Sequence, residues 1–261
     1  MIDTITILGG KNKSGEIEPV QRLELKMGTV VSIVGPTGSG KTTLINDIEL
    51  FADGTTPTGR KILINGLVAP PEFRDDPSMH PVAHITQHTT FLSDLPVKDF
   101  LETHARIRSH DKTCVSEKVE RTLGFANQLT GEPIIIDNRM TELSGGQTRA
   151  LLIADATILC EAPVILLDEV ENAGINRSKA LELLRKFRKI FVFVTHDPRI
   201  SLLADIRVVM KNGAIMKILE ADEEEKKIFH TVIKLDNILA VLREKIRFGE
   251  RLTVSDMEGL A

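Results

Sequence analysis

Through residues 4–34 apolar and polar positions come in short runs. Thr4–Leu8 alternates, as do Leu23, Leu25 and Met27, which is the two-residue period of a half-buried strand. Thr29–Val34 is a dense β-branched run stopped by Gly35, the pattern of a strand covered on both faces. Thr42–Phe51 predicts a helix and Arg60–Leu67 another strand. Pro70, Pro71, Pro77 and Pro81 make residues 69–81 a loop. Val82–Thr86 follows as a short strand. From about 89 to 142 the character changes to helical pieces with polar joints, and Thr148–Leu159 is a further helical run. Val164–Asp168 and Ile190–Thr195 are unbroken apolar runs of the parallel, doubly covered kind. Asn212-Gly213, between Val208–Met210 and Ile215-Met216, predicts a tight hairpin. Strands alternating with helices around the central runs predict an α/β sheet.

The last stretch has a different period. Ile228, Val232, Leu235, Leu239, Leu242 and Ile246 step by 4, 3, 4, 3 and 4, a coiled-coil-like seam. Asp222–Glu225 puts negative charge at the start of this helix and Gly249 follows its end. Two readings stay open: the helix packs on its own body, or it docks to a second copy or a partner.

Composition excludes several classes. Of 261 residues, 42% are apolar and 27% charged, the mix of an ordinary globular protein. A net charge of -4 speaks against a nucleic-acid binder held by bulk charge. Cys114 and Cys160 show neither metal-ligand spacing nor a disulfide framework, which fits a reducing cytosol. No apolar run is long enough to predict a membrane span, and Met1-Ile2-Asp3-Thr4 lacks the pattern of a secretion signal. His80, His84 and His88 recur every fourth residue, but Pro81 and the β-branched run argue against the helix that would align them on a metal.

Candidate chemistry begins at Gly35-Pro36-Thr37-Gly38-Ser39-Gly40-Lys41-Thr42, followed by Thr43. It matches G-x-x-x-x-G-K-[ST] between a buried strand and a helix. Glycines let backbone N–H groups approach phosphate oxygens, Lys41 reaches the β- and γ-phosphates, and the Thr42 hydroxyl holds Mg²⁺. Asp168 ends an apolar strand at the sheet edge where α/β folds bind ligands, placed to bind Mg²⁺. Glu169, next to it, is placed to accept a proton from an attacking water. Together these predict a magnesium-dependent ATPase.

Leu143-Ser144-Gly145-Gly146-Gln147 opens the helical run near 148, and its N–H groups and hydroxyl make an anion site at a helix start. With this pentapeptide the chain resembles the ATP-binding cassette (ABC) ATPases. Gln87, after a short strand, matches the family's Q-loop glutamine; Asp168-Glu169 match the magnesium aspartate and catalytic glutamate; His196 matches the switch histidine. The resemblance covers residues 1 to about 220. It implies a P-loop NTPase of α/β class with a parallel sheet, a small antiparallel β subdomain and a helical subdomain at about 89–148, followed here by a helical tail over 221–261. It also implies a head-to-tail pair of copies. Each ATP then lies between the Gly35–Thr43 loop of one copy and Ser144, Gly145, Gly146 and Gln147 of the other. Lys41 holds phosphate; Thr42 and Asp168 hold Mg²⁺; Gln87 senses the metal and the water; Glu169 is the general base; His196 holds the γ-phosphate.

The chain departs from the family in two places. The run after Glu169 is Val170-Glu171-Asn172-Ala173-Gly174-Ile175-Asn176, where the family has Pro-Thr-Ser-Ala-Leu-Asp. Asn176 then stands either at the dimer seam, with an amide for a carboxylate, or as the N-cap of a helix over Arg177–Lys189. The stretch Leu8–Glu18 has no aromatic to stack on adenine, so the base packs on aliphatic groups or a lysine stem and is weakly discriminated.

For the biological role two readings stay open. One is the ATP-binding subunit of a transporter, cytoplasmic and held at the inner face of the membrane by a permease. Phe91–Val97 resembles the coupling region of such subunits. The other is a soluble ABC ATPase driving a cytosolic client through an assembly or maturation step. The family's base rate favours the first.

Overall fold

The computed structural model describes residues 2–76, 79–86, 88–108, 114–169, 177–253 and 256. Two sheets organise it. One is antiparallel and four-stranded, in the order β2-β1-β4-β5, from β1 (Thr4–Leu8), β2 (Arg22–Lys26), β4 (Lys61–Ile64) and β5 (Leu67–Val68). The other is six-stranded, in the order β10-β9-β3-β8-β7-β6. It comprises β3 (Val30–Val34), β6 (Val82–Ile85), β7 (Val164–Asp168), β8 (Ile190–Val194), β9 (Ile206–Lys211) and β10 (Ala214–Glu220). Neighbours among β9, β3, β8, β7 and β6 run parallel, and only the β9–β10 hairpin is antiparallel.

The central strands are apolar without interruption because both of their faces are covered. Val30, Ile165, Leu167, Phe191 and Phe193 point into one core, built with helices α3 (Val97–Arg108), α4 (Val115–Leu129) and α5 (Gly145–Ala154). The alternate residues Val31, Ile33, Val164, Leu166, Val192 and Val194 point into a second core with the antiparallel sheet and α1 (Lys41–Glu49). The helical subdomain therefore shares a core with the sheet rather than owning one.

Register aligns the functional ends. Ile33 of β3 and Asp168 of β7 both pair with Val194 of β8, so the carboxyl ends of three strands stand level. The glycine-rich loop, Glu169 and His196 all leave the sheet from this one edge.

Several boundaries differ from the pattern-based expectation. Arg60–Leu67 is not one strand: Asn65 (φ 50°) and Gly66 (φ 80°) turn it back as the β4–β5 hairpin. Within the proline-rich loop, Glu72–Asp75 forms a short helix, α2. The helical run expected over Thr148–Leu159 starts earlier, at Gly145 within the Leu143–Gln147 stretch, and changes at Asp155–Leu159 to a π-helical turn. The helix from Arg177, α6, ends at Leu184 rather than Lys189. Asn176 and the rest of 170–176 lie outside the described residues, as does Gln87. The Asn212-Gly213 hairpin forms with both residues at positive φ.

After β10 the tail forms α8 (Glu223–Arg247), capped by the Asp222 carboxylate, which accepts from the Glu225 N–H. It lies on α7 (Pro198–Leu203) and is tied to the body by the pairs Arg207–Glu225 and Arg199–Asp236. The docked face carries Phe229, Val232, Ile233 and Asp236, all half-buried. Ile228, Leu235, Leu239 and Ile246 of the seam stay 43–61% exposed. Own-body packing thus accounts for one side of the helix and leaves much of the seam open.

Candidate nucleotide site

The loop after β3 is shaped by close backbone approach. Gly40 has φ 97°, and a Cβ there would lie 2.8 Å from Gly213 Cα; at Gly35 it would lie 2.4 Å from the Met210 carbonyl oxygen. Only glycine fits either place. The β9–β10 turn thus presses directly on the phosphate-type loop, and the Gly213 N–H donates to Ser39 O at 2.8 Å. Lys41 is buried, its Nζ donating to Gly35 O (2.9 Å) and Pro36 O (3.3 Å). The Ser39 hydroxyl oxygen is buried with no hydrogen-bond partner among the described residues. A cavity of about 240 Å³ lies over the loop, lined by Lys13, residues 37–43 and Glu169. Backbone amides at a helix start, a buried cation and an orphaned hydroxyl fit an anionic ligand such as a phosphate chain.

Glu169 follows β7 in the left-handed region at φ 50°, a conformation uncommon for a residue with a side chain, and its N–H donates to Val194 O. Its Oε1 stands 3.6 Å from Nε2 of His196, which follows β8. Thr42 and Thr43 are exposed into the cavity, and Asp168 is half-buried at the strand end. Thr42 and Asp168 supply the hard oxygen donors that suit Mg²⁺.

Of the predicted site residues, one chain brings together residues 35–43, Asp168, Glu169 and His196. The Leu143–Gln147 stretch does not line that cavity. There Ser144 caps α5: its hydroxyl accepts from the Gln147 N–H (3.3 Å) while Gln147 Oε1 accepts from the Ser144 N–H (2.9 Å). Gln147 Nε2 donates to Pro133 O, so this side chain is taken up within its own chain. Ser144 and Gly145 are exposed. The histidine series makes no cluster: His84 Nδ1 pairs with Glu49 Oε2 at 2.8 Å, and this hydrogen bond holds the Glu49 carboxyl below its ordinary value.

Two contributors escaped the motif reading. Lys13, from the aromatic-free upstream stretch, reaches Gly38 O at 2.7 Å and lines the cavity. Beneath the loop lies Arg60, fully buried, bidentate to Glu18 (2.7 and 2.9 Å) and bonded to Asp47 (3.0 Å) and Gly213 O (2.6 Å). Glu18 also accepts from the Gly10 and Ile215 N–H groups. This charge network braces the hairpin that braces the loop. An isolated Arg or Glu in a sequence carries no sign that it is buried, so only the fold reveals it. A larger cavity, about 790 Å³, opens at the amino edge of the sheet beside Met27, Pro81, Pro163 and Lys189, away from these groups.

Fold and loop together define a phosphate-loop nucleotide hydrolase. Residues 20–172 match the family model described as ABC transporter. The chain is 48% identical over 257 residues to the "Uncharacterized ABC transporter ATP-binding protein MJ0121" of Methanocaldococcus jannaschii, covering 98% of this chain and 97% of that protein. It therefore belongs to the ABC transporter family, in the ATP-binding, ATP-hydrolysing part of it. Among solved structures, cbiO1 from Clostridium perfringens, part of the cbiONQ transporter complex, superposes with TM-score 0.65 at 20% identity, over 95% of this chain and 100% of that one. The dimeric ATP-binding cassette MJ0796 with ADP and Pi gives 0.63 at 21% identity, over 84% and 99%. These likenesses are of fold.

Proposed function

We propose that this chain is the ATP-hydrolysing subunit of a membrane transporter and works as a head-to-tail pair closed around Mg-ATP. The observation that carries the proposal is a split site. The loop and Glu169 line one cavity and His196 stands beside Glu169, while the exposed Ser144 tip of α5 is not part of that lining and has its cap already satisfied. A second copy supplies that tip to the first copy's nucleotide.

In this reading Lys41 leaves the carbonyls of Gly35 and Pro36 for the β- and γ-phosphates, which the loop amides also bind. Thr42 and Asp168 hold Mg²⁺, which neutralises phosphate charge when bound. Glu169 accepts a proton from the attacking water, and His196 fixes the γ-phosphate side of the site. Gln87 keeps the metal- and water-sensing role implied by the family. Ser144 and Gly146 offer donors to the partner's γ-phosphate, and Gln147 holds the tip in shape. ATP then binds the closed pair better than the open one, and hydrolysis removes that preference. A permease receives the motion and holds the pair at the cytoplasmic face of the membrane. Among the described residues no helix is long and apolar enough to cross a membrane itself. MJ0121 is named as a transporter component and cbiO1 is part of one, which supports a permease over a soluble client.

Glu169→Gln tests the pairing. With saturating ATP, light scattering after size exclusion is expected to give twice the monomer mass, with hydrolysis down at least about 100-fold. A monomer with normal turnover would remove both roles. Captured from detergent-solubilised membranes, the same variant is expected to carry a membrane-spanning partner; a soluble enzyme in its place would overturn the transporter assignment.

A further inference from the structure

We propose that His104, Asp155 and Cys160 form a binding site for one zinc-class transition-metal ion, separate from the nucleotide site. His104 lies on α3; Asp155 opens the π-helical turn after α5, and Cys160 closes it. His104 Nδ1 is 2.7 Å from Asp155 Oδ1, and Cys160 Sγ is 3.6 Å from Asp155 Oδ2 and 3.9 Å from His104 Nε2. One ligand atom from each residue lies within 4.8 Å of the other two.

The backbone explains how residues five apart meet. In a regular α-helix they point about 140° apart. Here the Cys160 N–H donates to Asp155 O at 2.9 Å, the i to i+5 bond of a π turn, which returns the fifth residue to the same side. π turns are costly insertions found disproportionately at functional sites. This one places two different ligand types against a histidine from another helix.

The donors select the ion. A tetrahedral ion with bonds of about 2.3 Å to sulfur and 2.0 Å to nitrogen sets those atoms about 3.5 Å apart. The sulfur edges observed here are within a few tenths of that. The shorter histidine–aspartate edge is a hydrogen bond. Metal binding replaces that bond: the proton between Nδ1 and Asp155 leaves with the thiol proton, and a ring nitrogen, the carboxylate and the thiolate turn to the ion. Thiolate and imidazole favour zinc-class ions over Mg²⁺ or Ca²⁺. Arg108 and Lys189 act electrostatically on the thiol and oppose a cation. A divalent ion with thiolate and carboxylate ligands is neutral overall, so those side chains meet no net positive charge. Without metal, burial and then the Asp155 charge push the Cys160 thiol up to about 12, which leaves it inert as a nucleophile. A bound ion pins α3 to the turn joining α5 to β7.

Chelator-stripped full-length protein titrated with Co²⁺ alone tests the site. One equivalent is expected to produce a near-ultraviolet thiolate-to-cobalt charge-transfer band that Zn²⁺ abolishes. Cys160→Ser is expected to lose the band and weaken Zn²⁺ binding about 100-fold, His104→Gln at least tenfold. Cys114→Ser is expected to keep both. Far-ultraviolet circular dichroism and fluorescent-ATP binding are expected to be unchanged in all three, since none touches the nucleotide cavity. Absence of the band in the native chain, its survival in Cys160→Ser, or full Zn²⁺ affinity in His104→Gln would overturn the site.

Discussion

Glu169 and His196 face each other at 3.6 Å from the ends of adjacent parallel strands. Neither is near the other in sequence. The pairing follows from register, since Asp168 and Val194 are direct partners and Glu169 and His196 follow them by one and two residues. His196→Ala removes the group beside Glu169, the proposed base, without altering the loop. Turnover is expected to fall about 100-fold or more with ATP affinity changed less than about threefold. A loss of affinity with turnover at saturating ATP unchanged would mean that His196 acts only in binding.

Adenine recognition is predicted to be weak. No aromatic precedes the loop, and Lys13 occupies that side of the cavity through its bond to Gly38 O. An aromatic stack contributes about 1–3 kcal/mol, so ATP and GTP affinities are expected to agree within about tenfold. Competition binding with both nucleotides measures this. A preference for ATP of more than about a hundredfold would contradict it.

The Arg60 network makes a stability prediction. Arg60→Met leaves Glu18, at 0% side-chain exposure, with its charge uncompensated. Breaking a buried pair in this way costs about 3–5 kcal/mol. Urea unfolding is expected to show that loss, and nucleotide affinity is expected to fall with it because Gly213 O loses its donor. A variant as stable as the native chain would show that solvent reaches Glu18.

Lys189 supplies a pH test. Burial lowers its ammonium from 10.5 to about 8. Between those values the unfolded chain binds more protons than the folded one, so stability rises with pH across this window. Below about pH 8 the folded protein carries the full cost of a half-buried cation. Lys189→Met is expected to gain stability over the native chain at pH 7, with the gap closing by pH 10. A gap independent of pH would assign the effect to packing.

The tail is separable on this structure. α8 meets the body through α7 and the pairs Arg207–Glu225 and Arg199–Asp236, and much of its apolar seam faces outward. Truncation after Glu220 is expected to leave folding and ATP binding intact while changing assembly, measured by light scattering with ATP. Unchanged assembly would mean the seam has no partner.

Much of the fold was legible because its signals are local. A doubly covered strand such as Val164–Leu167 must be apolar throughout, and a glycine-rich turn must precede a helix if amides are to converge on phosphate. The misread boundaries share a cause. Asn65-Gly66 and the π turn at Asp155–Leu159 depend on one residue's φ or one shifted hydrogen bond, which hydrophobic periodicity does not register. By itself, then, the sequence determined the phosphate loop, the acidic strand end, the capped start of α5 and hence the family, since each is a short contiguous segment whose residue types carry its chemistry. Only the tertiary structure decided that Lys13 enters the cavity, that Arg60 is buried under it, and that Cys160, without a metal-ligand spacing, meets His104 and Asp155. Those contacts join side chains from separate elements, and they exist only once strand register and helix packing have set the distances.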